Sequence, residues 1–194
     1  MSDAIEKARK ELNDLVDSAR LCLANGRALG TLVLTYAGID AAAALWAKNL
    51  SPRMRKENFL HWVDKYLLPL KPLKVTALDL YAARCGVVHT LTARSDLSEA
   101  GKARRLLYGW GKGEAETFDR INEAAGFTDR YAAVQVEDLI DGLAGGVAAL
   151  FDDVNRDPGL RGRVEERGDS FYARLTPQQG ADFAAWCEER LRSR

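Results

Sequence analysis

The chain is poor in the residues that bind metals and form disulfides. It has only two histidines and three cysteines among 194 residues. Cys22, Cys85 and Cys187 lie far apart, with no Cys-x-x-Cys pair. Structural zinc sites need four suitably spaced cysteine and histidine ligands, so we expect no metal site and no cofactor. Because no secretory signal is evident either, the cysteines indicate reduced thiols and a cytoplasmic protein.

The sequence also lacks an uninterrupted apolar span and a phosphate-binding loop. Its longest apolar stretch, residues 29–47, contains Asp40. A membrane span rarely carries an unpaired acid near its middle, so we expect a buried core helix and no membrane association. The glycines around Gly111-Lys112-Gly113 do not follow the order G-x4-G-K-[S/T] of a phosphate-binding loop.

Charge is unevenly distributed along a chain whose net charge is zero. The composition is 47% hydrophobic and 29% charged, which is typical of a soluble globular protein, and the length predicts one domain over 1–194. Residues 51–112 hold twelve basic and five acidic side chains, against sixteen and twenty-three in the remainder. A basic centre is compatible with an anionic ligand, although folding can also scatter these charges over the surface.

Apolar spacing predicts a mainly α-helical fold in the first half. Residues 3–24 have the three-and-four spacing of an amphipathic helix, and residues 27–49 are apolar on all sides and so more buried. Ser51-Pro52 starts a third helix, which Pro69 ends. A fourth helix is predicted over residues 75–93.

The second half is expected to add a small β element to this helical bundle. Residues 105–110 and 132–136 are strand candidates that could pair antiparallel, and 171–175 is a third candidate. The other predicted elements are a helix over 137–155, a connector over 159–168 and a final helix that starts at Thr176-Pro177.

The pattern that points most directly to a function is Arg84 followed by His89 within the fourth helix. Their directions on a helix differ by roughly 140°, so a long arginine side chain or a second copy of the helix must bring them together. Histidine exchanges protons near neutral pH, and the arginine fork holds phosphate oxygens. The pair therefore permits metal-independent RNA cleavage, with His89 moving a proton and Arg84 neutralising transition-state charge.

Other interpretations of the arginines, the histidines and Asp40 are open. Arg55 and His61 have the similar spacing Arg-x5-His, but Arg55 falls in a charged first turn whereas Arg84 and His89 lie among apolar residues. Arg84 and His89 could also form a structural hydrogen-bonded pair without catalysis. Asp40, on its apolar helix, could pair with a buried base such as Arg84, cap a helix or face solvent.

Two long helices followed by a helix with Arg-x4-His resemble HEPN domains, a family of small helical-bundle proteins. Residues 59–66 and 80–85 also resemble an uncharacterised bacterial group of that family. The resemblance covers residues 3–110 as the core and leaves about 111–194 as a C-terminal extension. It implies a homodimer with a composite site and a metal-independent endoribonuclease. It further implies a role as a toxin or in phage defence, with an antitoxin or other protein partner.

One position departs from the pattern of that family. The family usually has Asn, Asp or His after the arginine, and this chain has Cys85. Cys85 shares a helix face with His89, where it is predicted to contact the substrate, but a thiol is a weak donor and acceptor. Cys85 could instead be a small buried residue. The departure supports a second hypothesis, a non-catalytic dimeric helical scaffold or interaction protein of the same fold.

A basic segment with aromatic residues follows the fourth helix. Lys102, Arg104 and Arg105 come shortly before Tyr108 and Trp110. Such segments can bind single-stranded nucleic acid through charge and stacking, so the three basic residues are predicted to bind RNA. The alternative is that the aromatic rings are partly buried and the charges solvated. A third hypothesis, an enzyme that acts on small nucleotides, would use Arg84 and His89 as the ribonuclease does.

Overall fold

The computed structural model of the protein describes residues 2–168 and 177–192. It is mainly helical, with a two-stranded sheet in the C-terminal half, so the predicted fold class is confirmed. The helices are α1 (Asp3–Ala24), α2 (Ala28–Trp46), α3 (Arg55–Trp62), α4 (Ala77–Thr90), α5 (Asp96–Glu99), α6 (Glu114–Ala125), α7 (Val136–Arg156), α8 (Pro158–Gly168) and α9 (Pro177–Arg192), and the strands are β1 (Arg105–Gly109) and β2 (Tyr131–Gln135).

Helix α2 is the central element of the bundle, and it packs against α1, α3, α4, α7 and α8. Its apolar residues contact neighbours on several sides, as their distribution around the helix predicts. By length and composition α2 could also cross a membrane, but half of its apolar stretch is buried among the other helices. Core helices of soluble proteins have the same composition, so this composition does not distinguish a core helix from a membrane span. The cytoplasmic location stays a prediction.

Close packing explains why α7 contains three glycines, Gly142, Gly145 and Gly146. A Cβ atom on Gly146 would lie 2.8 Å from the ring of Trp62, which is fully buried. Trp62 ends α3, and the chain continues through a π-helical turn, Val63–Leu67, before Pro69. Glycine costs about 1 kcal/mol in a helix relative to alanine, and here it lets α7 approach the indole ring. The predicted helix over 137–155 is therefore confirmed.

The sheet corrects one prediction about the β element. Strands β1 and β2 pair parallel, with Arg105 opposite Tyr131 and Gly109 opposite Gln135. Parallel neighbours need a crossover connection, and α6 provides it. The antiparallel prediction was wrong because residues 114–125 form a helix that was not predicted. The third strand candidate, 171–175, lies outside the described residues.

Helix α8 corrects a second prediction, because residues 159–168 are not a connector. The side chain of Asp157 accepts hydrogen bonds from the backbone N–H of Gly159 (2.8 Å) and of Leu160 (3.1 Å), which caps the helix. Leu160 and Val164 are four residues apart and both are buried in the common core. The many Arg and Gly residues obscured this short apolar stripe in the sequence.

Candidate functional site

The helix that carries Arg84 and His89 is fixed at its N-terminus by a buried carboxylate. Thr76 and Asp79 form a reciprocal capping box at the start of α4. Asp79 also accepts hydrogen bonds from Arg104, from the backbone N–H at 2.7 Å, from Nε at 3.1 Å and from Nη2 at 2.7 Å. Burial alone would raise the pKa of Asp79, but these hydrogen bonds from Arg104 and Thr76 hold it below its ordinary value. The network joins α4 to the residue that precedes β1.

Arg84 lies between Asp40 of α2 and His89 of its own helix. Its Nε and Nη2 atoms both lie 2.6 Å from the same carboxylate oxygen of Asp40, Oδ2. Its Nη1 atom lies 2.7 Å from Nε2 of His89. The three side chains therefore form a continuous chain of contacts from α2 to the end of α4. The long arginine side chain brings the two predicted residues together within one chain.

The contact between Arg84 and His89 fixes the hydrogen-bond roles of the two side chains. A guanidinium only donates hydrogen bonds, so Nε2 of His89 is the acceptor. His89 is exposed, so its imidazole can exchange a proton with a bound ligand.

Burial and charge perturb the other two members of this group. The side chains of Asp40 and Arg84 are 32% and 19% exposed, and His89 is exposed. Burial raises the pKa of Asp40, and the hydrogen bond and positive charge of Arg84, together with the charge of Arg55, only partly oppose this rise. Burial would lower the pKa of Arg84, but the bonds to Asp40 outweigh it and raise that pKa. Arg84 is therefore a permanent cation at the site.

The end of α4 has a tight turn that sets the position of His89. The backbone of Leu91 is left-handed, with φ 55°, and the backbone N–H of Thr92 donates to the carbonyl of Gly86 at 3.1 Å. A Cβ atom on Gly86 would lie 2.6 Å from the carbonyl oxygens of both Thr92 and Arg94. Glycine at this position thus lets the following loop fold back against the helix, one turn before His89.

The three side chains line a pocket with a volume of about 600 Å³. Its other charged residue is Arg55, which is exposed at the start of α3. An apolar and aromatic wall completes it, formed chiefly by Leu50, Pro52, Phe59 and Tyr81. The pocket therefore has cationic groups and a proton-exchanging group beside a surface that a flat ring can contact.

No family model, curated protein or solved structure matches this chain. What the pocket can do therefore has to be inferred from its own residues. Within residues 2–168 and 177–192, no group of three or more His, Cys, Asp or Glu side chains is arranged to hold a metal ion. The polar side chains that line the pocket are those of Asp40, Arg55, Asn58, Tyr81, Arg84 and His89.

The other predicted site residues do not line this pocket. Arg104 is bound to Asp79, and Nη2 of Arg105 donates to Glu99 at 2.6 Å, while Lys102 is exposed. These contacts give Arg104 and Arg105 structural partners. Their predicted binding of substrate, like that of Lys102, stays a prediction.

Cys85 lies beside the site without lining the pocket. Its thiol lies close enough to Tyr81 and Arg84 to raise the pKa of both groups. Burial is the main reason that the pKa of the Tyr81 hydroxyl is raised. The predicted contact of Cys85 with substrate stays a prediction.

A second pocket, of about 490 Å³, lies against β2 and the start of α6. Its lining has four carboxylates and two lysines. Lys74 lies 3.2 Å from Asp119, and Asp138 lies 2.7 Å from the neighbouring Lys71. Because acidic residues outnumber basic ones, this pocket suits an anionic ligand less than the pocket at Arg84 does.

Proposed function

We propose that this chain is a HEPN-like metal-independent endoribonuclease whose site is the pocket lined by Arg84 and His89. The observation that supports the proposal is the 2.7 Å contact between the Arg84 guanidinium and the His89 imidazole in the wall of an open pocket. Such a pair can stabilise negative charge and exchange a proton without a metal. Asp40 would position Arg84 through its two contacts.

The proposed reaction is attack by an RNA 2′-hydroxyl on the adjacent phosphorus. The 2′-oxygen forms a bond to phosphorus, the bond to the 5′-oxygen breaks, and the products are a 2′,3′-cyclic phosphate and a 5′-hydroxyl. One proton leaves the 2′-oxygen and one reaches the 5′-oxygen, and His89 is the group that exchanges one of them. The guanidinium of Arg84 offsets the extra charge on the phosphorane-like transition state.

The biological setting belongs to the same proposal and comes from the resemblance alone. We propose a cytoplasmic homodimer that acts as a toxin or in phage defence, with an antitoxin or another protein as its partner. The convergence of Arg84 and His89 within one chain means that a dimer is not needed to join them. A partner subunit would instead extend the pocket along the RNA.

A second candidate function is a non-catalytic helical scaffold with the same fold. It is favoured by the contacts of Arg84, whose nitrogens are engaged by Asp40 and His89 in the manner of a structural pair. It also agrees with Cys85 in place of a polar residue. The open pocket and the exposed ring of His89 favour the ribonuclease instead, because a purely structural pair needs neither.

Cleavage of RNA in the presence of EDTA separates the two candidates. Wild type is compared with Arg84→Ala and His89→Ala, and His61→Ala is the control because His61 is an exposed histidine outside the pocket. The ribonuclease predicts cleavage by wild type and by the control, and losses of at least about 100-fold in both site variants. Wild-type protein that leaves a diverse set of RNAs intact would favour the scaffold.

A further inference from the structure

The contacts of Arg84 leave a question about which group holds the substrate phosphate. Nε and Nη2 of Arg84 lie against Asp40, and Nη1 lies against His89. These contacts use three of the five N–H donors of the guanidinium. The Asp40 carboxylate also neutralises much of the charge that a ground-state phosphate would meet. A second cation in the pocket would therefore strengthen the binding of a phosphate.

Arg55 is that second cation of the pocket. It lines the same cavity, it is exposed, and in the part of the chain that the structure describes no carboxylate lies within ion-pair distance of it. It lies close enough for its charge to act on Asp40. Its guanidinium can present two parallel donors to phosphate oxygens, as arginine commonly does.

Arg55 and Lys56 are the first two residues of α3, directly after the 3₁₀ turn Pro52–Met54, and Glu57 is the acidic residue of the first turn. A basic side chain near the start of a helix gains nothing from the helix dipole, so the place of Arg55 does not itself explain its charge.

The wall opposite these charges indicates what else the ligand carries. Leu50, Pro52, Phe59 and Tyr81 give the pocket an apolar and aromatic surface, and Leu50 is 49% exposed. A bare inorganic anion would gain nothing from such a wall, whereas a nucleobase can bury its faces there. The volume of about 600 Å³ lies within the range of small-ligand pockets.

We infer that Arg55 is the phosphate-binding residue of this pocket, and that the pocket takes one nucleotide unit with its phosphate on Arg55 and its base against the apolar wall. This inference deepens the proposed ribonuclease function and rests on it for the RNA chain itself. The binding of one nucleotide can nevertheless be measured without any cleavage. Arg84 is then left to act in the transition state, held by Asp40.

Calorimetric titration with the four nucleoside 3′-monophosphates tests the inference directly. The full chain is compared with Arg55→Ala and Arg55→Lys, and Arg53→Ala is the matched control because Arg53 is an exposed arginine of the same segment that does not line the pocket. Loss of a charge-assisted, two-donor contact predicts a Kd about tenfold or more higher for Arg55→Ala. Arg55→Lys should fall between, and Arg53→Ala should stay within about twofold of wild type.

The outcomes separate this inference from the proposed function. Nucleotide binding that depends on Arg55, in a protein that cleaves no RNA, would support the inference for binding and reject the ribonuclease. Equal binding by wild type and Arg55→Ala, or no binding of any nucleotide by wild type, would overturn the inference whether or not RNA is cleaved. Inorganic phosphate that binds as tightly as the nucleotides would overturn the assignment of the base to the apolar wall.

Discussion

Arg104 was predicted from the sequence to bind RNA, and its contacts predict a structural role. In Arg104→Ala, Asp79 loses the bonds from Nε (3.1 Å) and Nη2 (2.7 Å) but keeps those from backbone N–H groups. The Asp79 side chain is 4% exposed, so the carboxylate stays buried without its cation. Removal of one partner from a buried ion pair costs about 3–5 kcal/mol. The remaining backbone donors and the partly exposed Arg104 reduce the expected loss to about 2–4 kcal/mol.

Urea unfolding measures this loss, followed by tryptophan fluorescence and circular dichroism. Lys71→Ala is the control, because the ion pair of Lys71 with Asp138 is exposed and such pairs contribute little to stability. Arg104→Ala should be clearly less stable than this control, while the protein that remains folded binds RNA as wild type does. Equal stability of the two variants, together with loss of RNA binding by Arg104→Ala, would refute the structural role and restore the sequence prediction.

Two further predictions concern the helix that carries the site. Because the pKa of Asp79 in the folded protein lies below the ordinary value of 3.8, the stability that its ionisation contributes is complete above that value and is lost as the pH falls through the folded pKa. The difference in unfolding free energy between wild type and Asp79→Asn should therefore shrink below about pH 4, and a difference that grows towards acid would contradict this. Gly86→Ala should destabilise the fold by about 1–3 kcal/mol and shift the NMR signals of the His89 ring. Gly162→Ala is the control, because a Cβ atom there meets open space, and it should be neutral or slightly stabilising. Unchanged His89 signals in a folded Gly86→Ala protein would show that the turn does not position the ring.

The fold could be predicted where one face of a helix is apolar and its ends carry clear signals. Helices α1, α2, α4 and α7 follow the predicted ranges within a few residues. The parallel pairing of the strands could not be predicted, because it depends on the crossover helix α6. The acidic residues of α6 do not indicate that this segment forms a helix packed on the sheet. The connector prediction failed at α8 because its buried stripe is only two large apolar residues, Leu160 and Val164, among arginines and glycines.

The site could be predicted only in part, for a similar physical reason. Arg84 and His89 were selected from their spacing, and pairing with Arg84 was one of three alternatives given for Asp40, beside capping a helix and facing solvent. The 2.6 Å contact of Asp40 with Arg84 confirms that pairing. Arg55 was considered only for its spacing from His61. Its place in the pocket depends on how α3 packs beside α2 and α4, which a sequence pattern does not specify.

The central proposal is that His89 exchanges a proton during metal-independent attack by the RNA 2′-hydroxyl. The most direct test is the cleavage rate of one RNA in EDTA, by wild type and by His89→Ala, beside the same RNA with a single 2′-deoxy nucleotide at the cleaved position. We predict 2′,3′-cyclic phosphate ends with wild type, and loss of cleavage both in His89→Ala and with the deoxy substrate. Cleavage of the deoxy substrate at the normal rate, or full activity of His89→Ala, would contradict the proposal.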